Sequence, residues 1–495
     1  MTVGQTKSLA DLGLTAQGRA QARITALAVD SRQVRDGALF AALPGTRVHG
    51  AEFIQYALRM GAAAILTDAA GARIARVELD DSDAALIVTE DPRGALAFAA
   101  ALWFGAQPEI MVAVTGTNGK TSVAAFTRQI WTELGFDAVN LGTTGVEGAF
   151  QSPLAHTTPE PITLHRVLAA AHDAGITHAA MEASSHGLAQ RRLDGVHLVA
   201  AGFTNFTQDH LDYHDGFDAY FDAKARLFTQ VLPEDGVAVI NIDDPRGPDM
   251  ASLACERGQD VLSVGRSGRA DLRLHSQRFE PTGQTMRYSW HGEAHQVSLP
   301  LIGGFQGENV LMAAGLAIGA GADADRVFET LGRMRTVRGR MQLAATRENG
   351  AAVFVDYAHT PDAVRTAITA LRPHVMGRLI AIVGAGGDRD TAKRPLMGKA
   401  AADNADLVIV TDDNPRSEDP ALIRAAVMQG CAGASNVGDR AEAILRGVDA
   451  LGPGDALLIL GKGHETGQTV GDDVLPFDDA EQASVAVAAL DGGGA

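Results

Sequence analysis

Ile110-Met111-Val112-Ala113-Val114 is an unbroken apolar run, and it continues as Thr115-Gly116-Thr117-Asn118-Gly119-Lys120-Thr121-Ser122. A strand that is apolar at every position has to be covered on both faces, as in the interior of a parallel sheet. Parallel strands need long crossover connections, usually helices, so this segment commits its surroundings to an α/β layer architecture. The loop that follows carries two glycines and opens an amphipathic helix. Loop N–H groups and a helix N-terminus arranged this way form a cradle for phosphate oxygens. Lys120 is placed to reach the β- and γ-phosphates, and the Thr121 hydroxyl to ligate Mg²⁺. The general phosphate-loop pattern has a further glycine at 114, where this chain has Val114, but the core G-x-x-G-K-T is intact. The expected ligand is ATP, held by Gly116, Thr117, Asn118, Gly119, Lys120, Thr121 and Ser122.

The chain has 495 residues, room for about three domains at roughly 100–200 residues each. The pattern of apolar runs divides it accordingly. Residues 1–107 read as a small mixed α/β domain, with strands at 24–29, 37–43 and 63–67, a helix over 53–64, and a buried helix ending before Gln107-Pro108. Residues 108–338 read as a doubly wound P-loop ATPase-like domain, with a later strand at 237–242. Residues 339–495 read as a Rossmann-like domain with strands at 352–355, 379–383, 407–410 and 456–460. Each of these last runs is followed at once by polar, Gly- or Asp-containing residues, and open α/β sheets bind ligands beyond the carboxyl ends of their strands.

A net charge of −18 argues against a general nucleic-acid binder, which needs a basic footprint. The two cysteines, Cys255 and Cys431, make no disulfide framework, and a reducing, cytoplasmic setting is expected. The N-terminal residues lack the apolar core of a signal peptide, and no run is long enough to span a membrane. Of the 42 basic residues, 36 are Arg and only six are Lys: Lys7, Lys120, Lys224, Lys393, Lys399 and Lys462. In such a chain a retained Lys points to a place where a compact amine does what a planar guanidinium cannot.

Further constellations lie at predicted strand ends. Glu182 closes the apolar stretch 176–181, and a carboxylate near a P-loop suits Mg²⁺, a hard cation that prefers oxygen ligands. The other reading of Glu182 is a solvated residue at a helix start. Thr204 to His214 holds two His and two Asp within His210-Leu211-Asp212-Tyr213-His214 and the preceding Asp209, and its spacing matches no zinc motif. Lys224, taken by its own surroundings, is a helix lysine that could pair with Asp222 or Glu234. In the last domain, Gly384-Ala385-Gly386-Gly387-Asp388-Arg389, Thr411-Asp412-Asp413-Asn414-Pro415-Arg416 and Gly461-Lys462-Gly463-His464-Glu465 follow three strands. They bring both signs of charge toward one crevice, as a zwitterionic amino acid requires. Asp388 and Arg389 are expected to act there in recognition.

The loop Gly116-Thr117-Asn118-Gly119-Lys120-Thr121 resembles that of the Mur ligases, ATP-dependent amide-forming enzymes of cell-wall synthesis. The other motifs extend the resemblance over nearly the whole chain, in order. It implies that Glu182, His210 and Lys224, the last as a carbamate, join Thr121 in binding metal. It also implies that Lys120, Lys224 and His210 form the catalytic set, and that Asn309 and Arg340 complete the ATP site. Val29, Ser31, Thr46, Arg47, Val48, Thr157, Thr158, Ser184, Gln190 and Arg192 match the family's contacts to UDP-N-acetylmuramoyl-L-alanyl-D-glutamate. Arg389, Asp413, Asn414, Pro415, Arg416, Gly461 and Glu465 match contacts to meso-2,6-diaminopimelate, and Asp413-Asn414-Pro415-Arg416 resembles the tetrapeptide of the members that use this amino acid. Lysine-adding members generally differ there, and folylpolyglutamate synthetases lack both the tetrapeptide and the N-terminal unit. A monomer is expected. Two departures stand out: Arg338 replaces the usual Pro before Gly339-Arg340-Met341, and Gly467 replaces the usual aromatic before Gln468.

Overall fold

The computed structural model of the chain describes residues 6–17, 22–45, 48–207 and 213–492. Three sheets carry the fold. The first has four parallel strands in the order Ala26–Ala28, Ala38–Ala41, Ala64–Thr67, Ala85–Val88. The second has ten strands, with Ile110–Thr115 between His178–Glu182 and Ala200–Phe203 near its middle. The third has six, in the order Gln342–Thr346, Ala352–Asp356, Ala456–Leu460, Leu379–Val383, Leu407–Val410, Ser435–Asn436, and only the first of these is antiparallel to its neighbour.

Side-chain alternation along each strand explains why every sheet has a core on both faces. Val112 and Val114 join one apolar cluster of the ten-stranded sheet, Met111 and Ala113 the other. Leu379, Ala381 and Val383 face one cluster of the six-stranded sheet, Ile380 and Ile382 its opposite. Leu39 and Ala41 are divided from Ala38 and Phe40 in the same way in the first sheet. Each fully buried Val, Leu, Ile, Met or Phe among them contributes roughly 1.5–3 kcal/mol. The continuous apolar runs are therefore the layers between two sets of helices.

Some expectations are corrected. The segment 24–29 is not one strand: Arg23–Ile24 pairs antiparallel with Lys7–Ser8, while Ala26–Ala28 enters the parallel sheet. Between them, the Thr25 hydroxyl donates to the Asp36 carbonyl. The helix expected over 53–64 runs only from Ile54 to Arg59, because Gly61 turns the chain at φ 90°. Leu272–Glu280, Gly283–Trp290 and Glu293–Leu299 extend the central sheet as an antiparallel meander, with no counterpart in the sequence reading. The ribbon Gly467–Val470 with Asp473–Pro476 was likewise not anticipated. Among the described residues no helix is long and apolar enough to cross a membrane.

Candidate active site

The P-loop strand and its two neighbours end side by side, so Thr115, Glu182 and Phe203 open into one crevice. The glycines of the loop are sterically required. A Cβ on Gly116 (φ 146°) would stand 1.9 Å from Thr204 Oγ1, and one on Gly119 (φ 89°) 2.6 Å from Asn309 Oδ1. Asn309 therefore abuts the loop. The helix Lys120–Glu133 starts with no side-chain cap, so its first N–H groups are available to an anion. Asn118 N–H donates to Asn205 Oδ1 at 2.8 Å, and the Thr204 hydroxyl donates to the Asn118 carbonyl at 2.6 Å. Ser122 is buried in the first turn.

Lys120 Nζ donates to the Gly116 and Thr117 carbonyls, each at 2.8 Å. Lys224 is not a surface lysine. It is 1% exposed, its Nζ donates to the same Gly116 carbonyl at 2.8 Å, and it lies 4.4 Å from the Tyr220 ring centre. Its helix, Phe217–Arg226, buries Tyr220, Phe221 and Lys224 together, one turn apart on one face. Two amines thus converge on one carbonyl oxygen of the P-loop.

Glu182 is also buried, with 2% exposure. Its Oε1 accepts from the Thr143 N–H at 2.8 Å, and its Oε2 from the Thr121 hydroxyl at 3.0 Å and the Thr143 hydroxyl at 3.3 Å. A Cβ on Gly142 would lie 2.0 Å from Glu182 Oε1, so that glycine is where the carboxylate passes. A carboxylate and a hydroxyl side by side at the mouth of a P-loop are hard oxygen donors, and they fit Mg²⁺. His210 lies outside the described residues. Among those described, no three His, Cys, Asp or Glu form a metal-binding group.

The residues matched to the muramoyl-peptide divide into two sets. Thr157, Thr158, Ser184, Gln190 and Arg192 gather beside Glu182. The Thr143 and Thr157 hydroxyls are 3.1 Å apart, Thr158 Oγ1 donates to the Glu182 carbonyl, and Ser184 N–H donates to Thr158 Oγ1. Arg192 reaches the Thr158 carbonyl at 2.6 Å and Gln190 Oε1 at 2.8 Å. Val29 and Ser31 lie instead just beyond Ala26–Ala28 of the first sheet, where Ser31 opens a short turn capped by Asp30. Val48 is exposed, and Thr46 and Arg47 lie outside the described residues.

Arg340 joins the second and third sheets. Its Nη2 donates to the Thr121 hydroxyl at 3.1 Å, its guanidinium stacks 4.7 Å from the Tyr357 ring centre, and its buried Nε has no hydrogen-bond partner among the described residues. An unused buried N–H beside a P-loop is what a phosphate oxygen would take. The neighbouring Gly339 is fixed by closeness, since a Cβ there would stand 2.2 Å from the His464 N atom. Asp356 accepts from the Met341 and Ala358 N–H groups, and burial pushes its carboxyl above the usual range against the pull of Arg340. His464 is pushed down to about 4, first by burial and then by Arg340 and Arg338. Arg338, the departure from the family's proline, pairs with Asp478 at 2.6 Å and ties the hinge to the last helix.

Beyond the strand ends of the third sheet, a cavity of about 730 Å³ is lined by Arg389, Asp413, Asn414, Arg416, Gly461 and Glu465. Pro415 is buried behind it, not lining it. Asp388 is a correction: its carboxylate accepts from the Ser417 hydroxyl and N–H, so it fastens two loops together and does not face the cavity. Arg416 has φ 51°, and its Nη1 donates to the Gly387 carbonyl at 2.7 Å. A Cβ on Gly461 would meet Asp413 Oδ2 at 2.3 Å. In place of the aromatic usual in the family, Gly467 sits against Val474, and Gln468 donates to the Asp413 carbonyl. His186, Tyr357 and His359 also line the cavity; His186 comes from the helix after Glu182, so the cavity opens toward the P-loop side. Thr143, the direct partner of Glu182, was missed as well. The signal for it was its position just after a strand neighbouring Glu182.

Profile comparison matches residues 23–103 to the Mur ligase family catalytic domain, 114–317 to the Mur ligase middle domain and 339–463 to the Mur ligase glutamate ligase domain. The UDP-N-acetylmuramoyl-L-alanyl-D-glutamate–2,6-diaminopimelate ligase of Caulobacter vibrioides is 49% identical over 475 residues, 94% of this chain and 96% of that protein. A solved structure of a ligase of that name is 32% identical with a TM-score of 0.70, covering 98% of this chain and 99% of that one. The Mycobacterium tuberculosis folylpolyglutamate synthase complexed with ADP is 18% identical with a TM-score of 0.61, covering 74% of this chain and 91% of that one, and shares the fold alone. With three consecutive domain matches in order, and near-complete coverage at this identity, the chain belongs to the Mur ligase family.

Proposed function

We propose that this chain is an ATP-dependent ligase that adds meso-2,6-diaminopimelate to the D-glutamate of UDP-N-acetylmuramoyl-L-alanyl-D-glutamate, a step of peptidoglycan precursor synthesis. The observation that carries the reading is the single cavity joining Arg416, Arg389, Asn414 and Glu465. Guanidinium and carboxylate groups on one wall suit an amino acid with a carboxylate at its far end, which lysine lacks. A lysine-adding ligase would leave Arg416 without that partner, and a folylpolyglutamate synthetase has no use for the first sheet.

The chemistry takes two steps. An oxygen of the D-glutamate side-chain carboxylate attacks the γ-phosphorus of ATP, ADP leaves, and an acyl phosphate remains. The free amine of diaminopimelate attacks the acyl carbon and loses its proton, and the tetrahedral intermediate collapses with phosphate as leaving group. The P-loop N–H groups, Lys120 and Arg340 hold the transferring phosphoryl charge. Thr157, Thr158, Ser184, Gln190 and Arg192 hold the muramoyl-peptide beside Glu182, with Val29, Ser31, Thr46, Arg47 and Val48 at its uridine end. Thr121 and Glu182, with His210 and a carbamylated Lys224, are the residues that would hold Mg²⁺. That ion would neutralise charge developing on the phosphate oxygens. Lys224 suits carbamylation because an uncharged amine adds CO₂ and a guanidinium does not. No protein nucleophile is needed. The residues that hold the three substrates are spread over domains 1–107, 108–338 and 339–495, so closure around the ligands is required. The reading takes the enzyme as a cytoplasmic monomer, in keeping with two free cysteines.

The test is phosphate release from ATP with the muramoyl-dipeptide and a panel of amino acids. Release that needs both the dipeptide and diaminopimelate is expected. Equal turnover of lysine, or release without the dipeptide, would overturn the reading.

A further inference from the structure

Lys462 is one of the six lysines and its side chain is fully buried. It lies behind the amino-acid cavity, not in its lining. An ammonium has three N–H groups, and here each has an acceptor. Lys462 Nζ donates to Asn414 Oδ1 at 3.1 Å, to Glu465 Oε2 at 3.2 Å and to the Gly467 carbonyl. Those acceptors belong to the three segments that make this end of the cavity: the loop after Leu407–Val410, the loop after Ala456–Leu460, and the ribbon strand Gly467–Val470.

The consequences run through two side chains that line the cavity. Asn414 Oδ1 also accepts the Thr469 N–H at 2.9 Å, so its amide is oriented with Nδ2 toward Glu465, where it donates to Oε2 at 2.8 Å. Glu465 Oε2 therefore takes two donors from within the protein, while Glu465 also lines the cavity. Below this layer Arg440, fully buried with Asp479, donates to the Asp412 and Leu460 carbonyls and fixes the same two loops by their backbone. A planar, longer guanidinium at 462 could not serve three acceptors grouped around one point. This gives a physical reason for a Lys at this place in an Arg-rich chain.

We propose that Lys462 is the positioning residue of the amino-acid site: it aims Asn414 and Glu465 at the acceptor's ammonium without touching the acceptor. The inference rests on the amino-acid site described under the proposed function. Its test is steady-state kinetics on the full chain, with each substrate varied in turn. Lys462→Met keeps the apolar stem and removes the charge. The expected result is a KM for the acceptor amino acid raised tenfold or more, with KM for ATP and for the muramoyl-dipeptide within twofold of wild type. Lys462→Arg is expected to behave as Lys462→Met and not as wild type. On a Glu465→Gln background the Lys462→Met effect on KM should shrink to less than threefold, since the residue acts through Glu465. If Lys462→Met is too unstable to assay, Lys462→Gln carries the test, because its amide retains a donor without the charge. An unchanged acceptor KM, equal rises in all three KM values, or full additivity with Glu465→Gln would overturn the proposal. The wild type is assayed first with diaminopimelate and lysine, and the variants with whichever it uses. A wrong choice of acceptor would thus show in the wild type alone, and a wrong role for Lys462 only in the variants.

Discussion

Arg416→Ala is the change that most directly tests what the third domain recognises. Arg416 is held by the protein before any ligand arrives. Its Nη1 donates to the Gly387 carbonyl, its N–H donates to the Thr469 carbonyl, and its carbonyl accepts from Gly471. Its φ of 51° is a left-handed conformation that costs a residue with a Cβ about 1–2 kcal/mol. A side chain already oriented gives up little further freedom when it pairs with a carboxylate, so most of the interaction is expressed in binding. A charge-assisted pair of this kind is worth about 1.5–3 kcal/mol, and more when its removal strands the other charge. Truncation is therefore expected to lower kcat/KM for diaminopimelate by about 3 kcal/mol, roughly a hundredfold. Lysine has no distal carboxylate, so its kcat/KM should change by less than threefold, and the preference for diaminopimelate should largely disappear. KM for ATP should not move. Arg416→Gly is the control: it relieves the φ strain and should melt higher than Arg416→Ala, with the same loss of selectivity. An equal loss for both amino acids would refute the reasoning, because it would make Arg416 a fastener of the loop and not the reader of the carboxylate.

Lys224→Arg is expected to fold but to lose at least a hundredfold in kcat, since the buried amine beside Gly116 cannot be replaced by a guanidinium; wild-type activity in this variant, with a bare amine by intact mass in the parent, would exclude the carbamate. Gly142→Ala, which places a methyl group 2.0 Å from Glu182 Oε1, should abolish phosphate release while circular dichroism stays unchanged. Arg440→Met leaves Asp479 buried without its counter-charge and should cost about 3–5 kcal/mol, seen as a large fall in Tm; a loss under about 1 kcal/mol would show that the pair is not a net fastener. His165 is pushed down to about 4 by burial, opposed by the Asp194 carbonyl. It stays neutral in the fold, while the unfolded chain takes up a proton below about 6.5. Its contribution is therefore complete above pH 6.5 and is lost as pH falls toward 4, by as much as about 3 kcal/mol. His165→Gln should flatten the dependence of Tm on pH over that window, and an unchanged slope would show that the histidine is not its source.

What the residues reveal locally came through well. The apolar run before the P-loop, the loop glycines and the polar residues after each later strand all follow from periodicity and turn chemistry, which act over a few residues. Lys224 shows where that kind of reading stops. By its neighbours it looks like a helix lysine near Asp222, yet Tyr220 and Phe221 are buried on its face of the helix and carry it into the interior. The spacing was visible, but nothing local indicated that an amine would be tolerated in that apolar stripe. The P-loop carbonyl opposite, at Gly116, accepts from it, a contact that only the tertiary structure makes.

The sequence by itself therefore determined the three α/β layers, the phosphate cradle and the set of charged strand ends, because each depends on residues close together in the chain. The tertiary structure alone decided which of those residues share a site and which serve as supports. Arg340 reaches Thr121 across 219 positions, and Lys462 gathers Asn414 and Glu465 from loops 48 and three residues away. Asp388 turns to Ser417, while Arg389 and Arg416 line the cavity. The physical reason is that a carboxylate or amine finds its partner by position in space, and that position is set by the packing of whole sheets against their helices.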